Sequence, residues 1–400
     1  MENNQEVLLR VEHLCQFFGS TKAVNDVSFD IKKGEVFGLV GESGCGKTTT
    51  GRSIIKLYDI TSGNIYFKGI RIGAGTLSYR LAIKEARKNY KEKVKGADAA
   101  TAKALKAERD SFIKEQKKQI KAAKYDQKHC DKEYSKQQAR LVEEKYRPLL
   151  ASASGYAREN LLEEYSDELK KARRSRLVTK IQMIFQDPSA SLDPRLTVRE
   201  IISEGLIIQG EKDKEVINKK VDEMLELVGL VREHAGRYQH EFSGGQRQRI
   251  GIARSVIMQP EMIIADEPVS ALDVSIQAQV INLLNDLRRE LGLTILFIAH
   301  DLSVVKYFSD RIGVMYFGEL VELATSDELF LNPLHPYTKS LLSAIPLPDP
   351  EYEKNRKRII YNPLAEHDYS VDKPTMREVK PGHFVKCNNA EYEKYLSVLK

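Results

Sequence analysis

Long apolar runs are missing from this 400-residue sequence. No stretch approaches the 18 or more apolar residues that a membrane-spanning helix needs, which excludes an integral membrane protein. Cysteine is scarce as well. Cys15, Cys45, Cys130 and Cys387 stand far apart with no CxxC pair, so neither a disulfide framework nor a zinc ribbon is supported, and a reducing cytosol is the expected setting. The opening residues MENNQEVLLRVEH lack a basic segment followed by an apolar one, so no secretory signal is expected. What is there, 42% hydrophobic and 30% charged residues, suits a soluble globular chain of roughly two or three domains with a sizeable core.

The formal net charge of +6 is unevenly spread. Residues 76–180 carry 28 Lys+Arg against 16 Asp+Glu, a net +12, which leaves the other 295 residues with 35 against 41, or −6. This segment is rich in Ala, Lys, Glu and Gln, all good helix formers, and Gly96, Pro148 and Gly155 are its only Gly or Pro. Apolar pairs seven apart (Leu105 with Phe112, Ile113 with Ile120, Tyr134 with Leu141) never build an unbroken heptad. Two or more long, mostly solvated helices forming a hairpin are predicted. The flanks differ: GNIYFKGIRI (63–72) suggests a short strand pair, and VFGLV (36–40), IQMIF (181–185), MIIAD (262–266) and TILFIA (294–299) are nearly continuous apolar runs alternating with helical stretches. That pattern predicts a buried, mainly parallel sheet in an α/β fold.

VFGLV runs into Gly41-Glu42-Ser43-Gly44-Cys45-Gly46-Lys47-Thr48, which matches G-x-x-x-x-G-K-[ST] and is followed by Thr49 and a helical stretch. The three glycines let successive N–H groups point at phosphate oxygens, backed by the positive end of the helix. Lys47 supplies a charge for the β and γ phosphates and Thr48 a hydroxyl for Mg²⁺. MIIADEP ends in two carboxylates: Asp266 is placed to hold Mg²⁺ through water, and Glu267 to take a proton from water attacking the γ phosphate. FSGGQRQRIGIARS (242–255) sets Ser243, Gly244, Gly245 and Gln246 before another helix, a second N-terminal anion site that one mononucleotide does not require.

With these motifs in this order, residues 6–75 and 175–345 resemble the ATP-binding cassette (ABC) ATPases. The resemblance implies a P-loop NTPase fold with a RecA-like core and antiparallel β and helical subdomains, binding ATP and Mg²⁺. It implies that Ser243 to Gln246 close over the ATP of a facing subunit, that Ser270, Ala271, Leu272 and Asp273 form the loop exchanged between subunits, and that Gln186 contacts Mg²⁺ and the attacking water. It further implies that His300 touches the γ phosphate and that Phe18, rather than Phe17, stacks on adenine. The expected organisation is an ATPase domain over 1–75 and 175–330 with its helical subdomain at about 187–260, a helical insertion at 76–174 and an extension at 331–400.

The segments AVNDVSFDIKKGEVFGLVGESGCGKTT (23–49), IQMIFQDPSASLDPRLTV (181–198) and NPLHPYTKSLLSAIPLPDP (332–350) are most similar to the ATPase subunits of oligopeptide and dipeptide importers. That family implies a second, non-identical ATPase subunit, two permease subunits, a peptide-delivering lipoprotein or periplasmic protein, and a place on the cytoplasmic face of the membrane. Nickel importers use similar ATPases, so the cargo rests on resemblance. Relatives carry C-terminal cysteines, some binding an iron–sulfur cluster. PGHFVKC has His383 at such a place and retains only Cys387, so no cluster is expected. Lys47 and Gln186 are 139 positions apart, farther than such ATPases need. Three readings of the insertion stand: a solvated excursion, a contact with the anionic cytoplasmic leaflet, or a contact with nucleic acid or the ribosome. SMC-type ATPases place their arms after the glutamine loop, and translation-associated ABC proteins carry two cassettes. A nucleic-acid partner is therefore not expected.

Overall fold

The computed structural model of the chain describes residues 6–345 and 358–399, so the end of the 332–350 segment lies outside the described residues. Two sheets organise it. Strands β1 (Val7–Phe18), β2 (Thr21–Lys32), β4 (Ser62–Phe67) and β5 (Ile70–Ala74) form an antiparallel sheet in the order β2-β1-β4-β5. The second sheet has eight strands. Its centre is β9 (Arg311–Tyr316), β3 (Val36–Val40), β8 (Thr294–Ala299), β7 (Met262–Asp266) and β6 (Ile181–Ile184), side by side and parallel. The antiparallel strands β10 (Glu319–Thr325), β12 (His383–Cys387) and β11 (Thr375–Lys380) continue it at the β9 edge. Every position of β3, β7 and β8 is buried, as expected of parallel strands covered on both faces.

Helix α1 (Lys47–Ile54) lies so close on the sheet that a Cβ at Gly51 would come within 3.0 Å of Ile298. After β6 the chain builds a helical layer from α5 (Pro188–Ser191), α6 (Val198–Ile208), α7 (Lys214–Leu227) and α8 (Gly244–Val256). Its helix starts are written locally. Asp187 caps α5 ahead of Pro188, and Thr197 and Glu200 cap α6 reciprocally. Helix α9 (Val274–Leu291) then returns the chain to β8, and α10 (Leu302–Phe308) leads into β9.

The insertion has three helices, within the predicted two or more, and pairs them twice where a hairpin was predicted. It comprises α2 (Leu77–Lys93), α3 (Ala99–Ser152) and α4 (Gly155–Arg174), and the 54 residues of α3 span about 80 Å at 1.5 Å per residue. The helix passes through Pro148, which has no N–H to give the Glu144 carbonyl, and ends four residues later. Only the middle of α3 is docked. Ala123, Cys130 and Tyr134 are buried, with Cys130 and Tyr134 in the core beneath the antiparallel sheet. Around them Arg71 Nη2 donates to Asp126 at 2.6 Å, Lys56 Nζ to the Gln127 carbonyl at 2.7 Å and the Val178 N–H to Asp131 at 3.1 Å. The two halves of α3 run outward, one paired with α2 through Arg109 over Tyr90, the other with α4 through Lys145–Glu168 and Tyr146–Tyr165. Charge follows this division. Residues 77–122 carry 14 Lys+Arg against 6 Asp+Glu and residues 135–174 carry 9 against 7, while docked residues 123–134 balance at 3 against 3. The excess therefore sits on the first arm.

The C-terminal extension is tied to the sheet by a buried carboxylate. Glu322 on β10 is fully buried and accepts the N–H groups of Leu334 (2.8 Å) and His335 (3.1 Å) and the Nε2 of His383 (2.9 Å). His383, which stands where relatives were expected to have cysteine, is thus a structural partner that pins β12 to β10. Its other ring nitrogen faces Glu328 on α11 (Ser326–Leu331) at 3.4 Å.

Candidate active site

The turn between β3 and α1 carries the phosphate loop, and its glycines are demanded by geometry. Gly46 has φ +102°, and a Cβ there would fall 2.3 Å from the Ala23 carbonyl; at Gly41 (φ +149°) it would fall 2.2 Å from the Met315 carbonyl. A cleft of about 240 Å³ opens above this turn, lined by Ala23, Ser43, Gly44, Gly46 to Thr49, Gln186 and Glu267. Sequence reasoning placed every one of these except Ala23, whose only local signal was its position at the start of β2. Lys47 is buried, and its ammonium donates to the Gly41 carbonyl at 2.7 Å and the Glu42 carbonyl at 2.9 Å. Burial pushes the neighbouring Cys45 thiol up, opposed by the Lys47 charge.

The tip of β7 brings the carboxylates to the same cleft. Asp266 is fully buried and takes the Thr48 hydroxyl on Oδ1 at 2.7 Å, while its Oδ2 is buried without a hydrogen-bond partner. Burial raises the Asp266 carboxyl above its ordinary range, against the pull of the Thr48 hydrogen bond and of Arg52. A hydroxyl and an orphaned carboxylate oxygen form a hard-oxygen donor set that fits Mg²⁺.

Glu267 follows in a left-handed conformation (φ +46°), unusual outside glycine, and its N–H is held by the Ile298 carbonyl at 2.9 Å. Its Oε2 is a meeting point. Gln186 Nε2 donates to it at 3.1 Å and His300 Nδ1 reaches it at 3.0 Å, so the three residues expected from separate strands do converge.

Other expected residues lie elsewhere. Ser243 caps α8, accepting from the Gln246 N–H at 3.3 Å while Gln246 Oε1 accepts the Ser243 N–H at 3.0 Å. None of Ser243, Gly244, Gly245 or Gln246 lines the phosphate cleft. The two glycines face Leu272 and the start of α9 in the same chain: a Cβ at Gly244 would sit 3.5 Å from Leu272 and one at Gly245 2.6 Å from Ile276. Ser270 donates to the Glu267 carbonyl at 3.1 Å, Ala271 lies between, and Asp273 begins α9. Phe18 is 46% exposed and meets Tyr58 edge-on at 5.2 Å, whereas Phe17 is half-buried with Lys22 over its ring.

One contact to the loop had no sequence signal. The hydroxyl of Tyr337, on α12 (Pro336–Ser343) of the C-terminal extension, accepts the Glu42 N–H at 3.1 Å. His335 caps that helix by accepting the Tyr337 N–H on Nδ1 at 3.2 Å. Burial, with His367 nearby, drives the His335 imidazole down to about 3, so it remains a neutral acceptor.

A phosphate loop, a metal-ready aspartate and a shared carboxylate at the strand tips define a P-loop ATPase cassette. The chain belongs to the ABC transporter family, whose model matches residues 24–145 and 149–270, and its ATPase activity is of the kind coupled to transport. Residues 321–371 match the C-terminal region of oligopeptide/dipeptide transporters. The chain is 49% identical over 395 residues to the oligopeptide transport ATP-binding protein OppF of Bacillus subtilis, covering 98% of this chain and 99% of that protein. It is 43% identical over 380 residues to the dipeptide transport ATP-binding protein DppF of Lactococcus lactis, covering 94% and 91%. Because the Bacillus match runs almost end to end in both chains, the long insertion is not peculiar to this protein. The fold is similar to that of cbiO1 from Clostridium perfringens, with TM-score 0.51, 21% identity and coverage of 82% of this chain and 92% of that one.

Proposed function

We propose that the chain is the ATP-hydrolysing subunit of an importer for oligopeptides or dipeptides. It works at the cytoplasmic face of the membrane, beneath two permease subunits and beside a second, non-identical ATPase subunit. The observation that carries the cargo class is likeness over nearly the whole chain, C-terminal region included, to peptide-transport ATPases. Among the described residues no helix is long and apolar enough to cross a membrane, so permeation falls to partner chains.

The chemistry follows from the cleft. Backbone N–H groups of residues 43–49 and the Lys47 ammonium bind the phosphates, Lys47 leaving its carbonyl partners to do so. Thr48, Asp266 and Gln186 would hold Mg²⁺, which when bound offsets charge on the β and γ phosphate oxygens. Glu267 accepts the proton of the attacking water while Gln186 and His300 hold its Oε2 in place. Phe18 stacks on adenine. Ser243 to Gln246 close over the nucleotide of the partner, and residues 270–273 meet the partner across the dimer.

Loss of this chain from its cell should abolish uptake of a labelled oligopeptide or dipeptide. The unaltered gene should restore it, and Lys47→Ala should not. Purified Lys47→Ala should bind ATP roughly 10- to 100-fold more weakly, the equivalent of a charge-assisted hydrogen bond. Undiminished peptide uptake without the chain would overturn the cargo, and unchanged ATP affinity in Lys47→Ala the phosphate-loop role.

A further inference from the structure

The peptide group joining Gly41 to Glu42, at the entrance of the phosphate loop, is gripped at both poles. Its carbonyl accepts the Lys47 ammonium at 2.7 Å, and its N–H donates to the Tyr337 hydroxyl at 3.1 Å. The two grips differ in permanence. Lys47 is the residue that turns to phosphate when nucleotide arrives, whereas Tyr337 is 1% exposed and packs against Tyr316 at 4.4 Å and Tyr361 at 5.6 Å. Its backbone is anchored too: the Tyr337 N–H is held by His335, whose own N–H is held by the buried Glu322. A rigid chain of contacts thus runs from β10, through the start of α12, to the back of the loop. The same loop meets β9 and β10 once more, where the Gly318 N–H donates to the Cys45 carbonyl at 3.0 Å.

We propose that Tyr337 is a positioning residue for ATP binding, through which the C-terminal extension holds the Gly41–Glu42 peptide in its phosphate-ready orientation. The proposal rests on the phosphate-loop reading above. Once Lys47 has released the carbonyl, the Tyr337 hydroxyl is the side-chain contact that still fixes this peptide plane. Without the hydroxyl the half-buried Glu42 N–H loses its acceptor, and the loop would spend part of its time with the peptide turned toward another partner. Apparent affinity falls in proportion to the fraction of molecules whose loop remains competent, while those that do bind ATP hydrolyse it normally.

Tyr337→Phe removes only the hydroxyl. The expected result is a rise of about five- to thirtyfold in KM for ATP with kcat within twofold, measured as phosphate release by the full chain together with its partner ATPase subunit. Tyr361→Phe removes a hydroxyl from the same aromatic cluster without touching the loop, and should leave KM within twofold. Equal KM shifts in the two variants, or no shift in Tyr337→Phe, would overturn the proposal. In the unaltered, nucleotide-free protein the Glu42 amide should exchange hydrogen slowly, and exchange at the rate of an open loop would overturn it without relying on any variant. If Lys47→Ala loses ATP while Tyr337→Phe binds it normally, the phosphate loop stands and only the role of Tyr337 fails.

Discussion

Glu267→Gln is expected to lower ATP turnover by about 10²- to 10⁴-fold, the usual contribution of a positioned general base, while ATP affinity changes by no more than a few-fold. The substitution keeps shape and volume. Its amide oxygen can still accept from Gln186 or His300, now 3.1 and 3.0 Å from Oε2, so the cleft is retained. It cannot take up the proton of attacking water. ATP bound but not hydrolysed should hold the two ATPase subunits together, visible as a nucleotide-dependent dimer by size-exclusion chromatography with the partner subunit. Phosphate release at the unaltered rate would remove Glu267 from the chemistry. The left-handed backbone at this residue sharpens the expectation, since strain at a non-glycine position persists where surrounding structure over-determines it, and here the Ile298 carbonyl and the Gln186 and His300 side chains do so.

The largest stability effect is expected at Glu322. Glu322→Leu fills a similar volume but leaves the N–H groups of Leu334 and His335 and the Nε2 of His383 buried with no acceptor. At roughly 1–3 kcal/mol for each of the three orphaned donors, the loss is about 3–9 kcal/mol, a large share of the stability of an ordinary domain. Thermal unfolding followed by circular dichroism, with limited proteolysis to locate the first cuts, should show the C-terminal extension beyond residue 331 opening first. Glu322→Gln should fall between, because one amide oxygen can serve only part of the donor set. If Glu322→Leu unfolds as the unaltered chain does, the carboxylate is not what joins the extension to the sheet.

Much of the ATP site was legible because its geometry is encoded by neighbours in sequence. A strand, a glycine-rich turn and a helix start in one contiguous stretch specify a phosphate loop, and the glycines answer to backbone collisions that any such turn meets. Asp266 and Glu267 were readable for the same reason, as carboxylates at the tip of an apolar strand. The convergence of Glu267 with Gln186 and His300 was expected only by resemblance, since no local pattern says that the ends of β6, β7 and β8 lie side by side. The insertion was half legible. Its helical character and net charge follow from composition, but composition does not say that α3 pairs with both α2 and α4, nor that its middle docks through Ala123, Cys130 and Tyr134 and the contacts of Asp126, Gln127 and Asp131.

From residues alone came the phosphate loop, the acidic strand tip, the parallel core and the separation of an acidic body from a basic insertion. Each is a local property, set by backbone conformation, by side-chain periodicity or by charge counted along the chain. Folding in three dimensions settled the rest. It placed the charge excess on one arm of α3, turned His383 into the buried partner of Glu322 and brought the Tyr337 hydroxyl to Glu42 across 295 positions. These contacts join segments with no shared period or motif, and they exist because buried polar groups must find partners wherever the packed chain puts them.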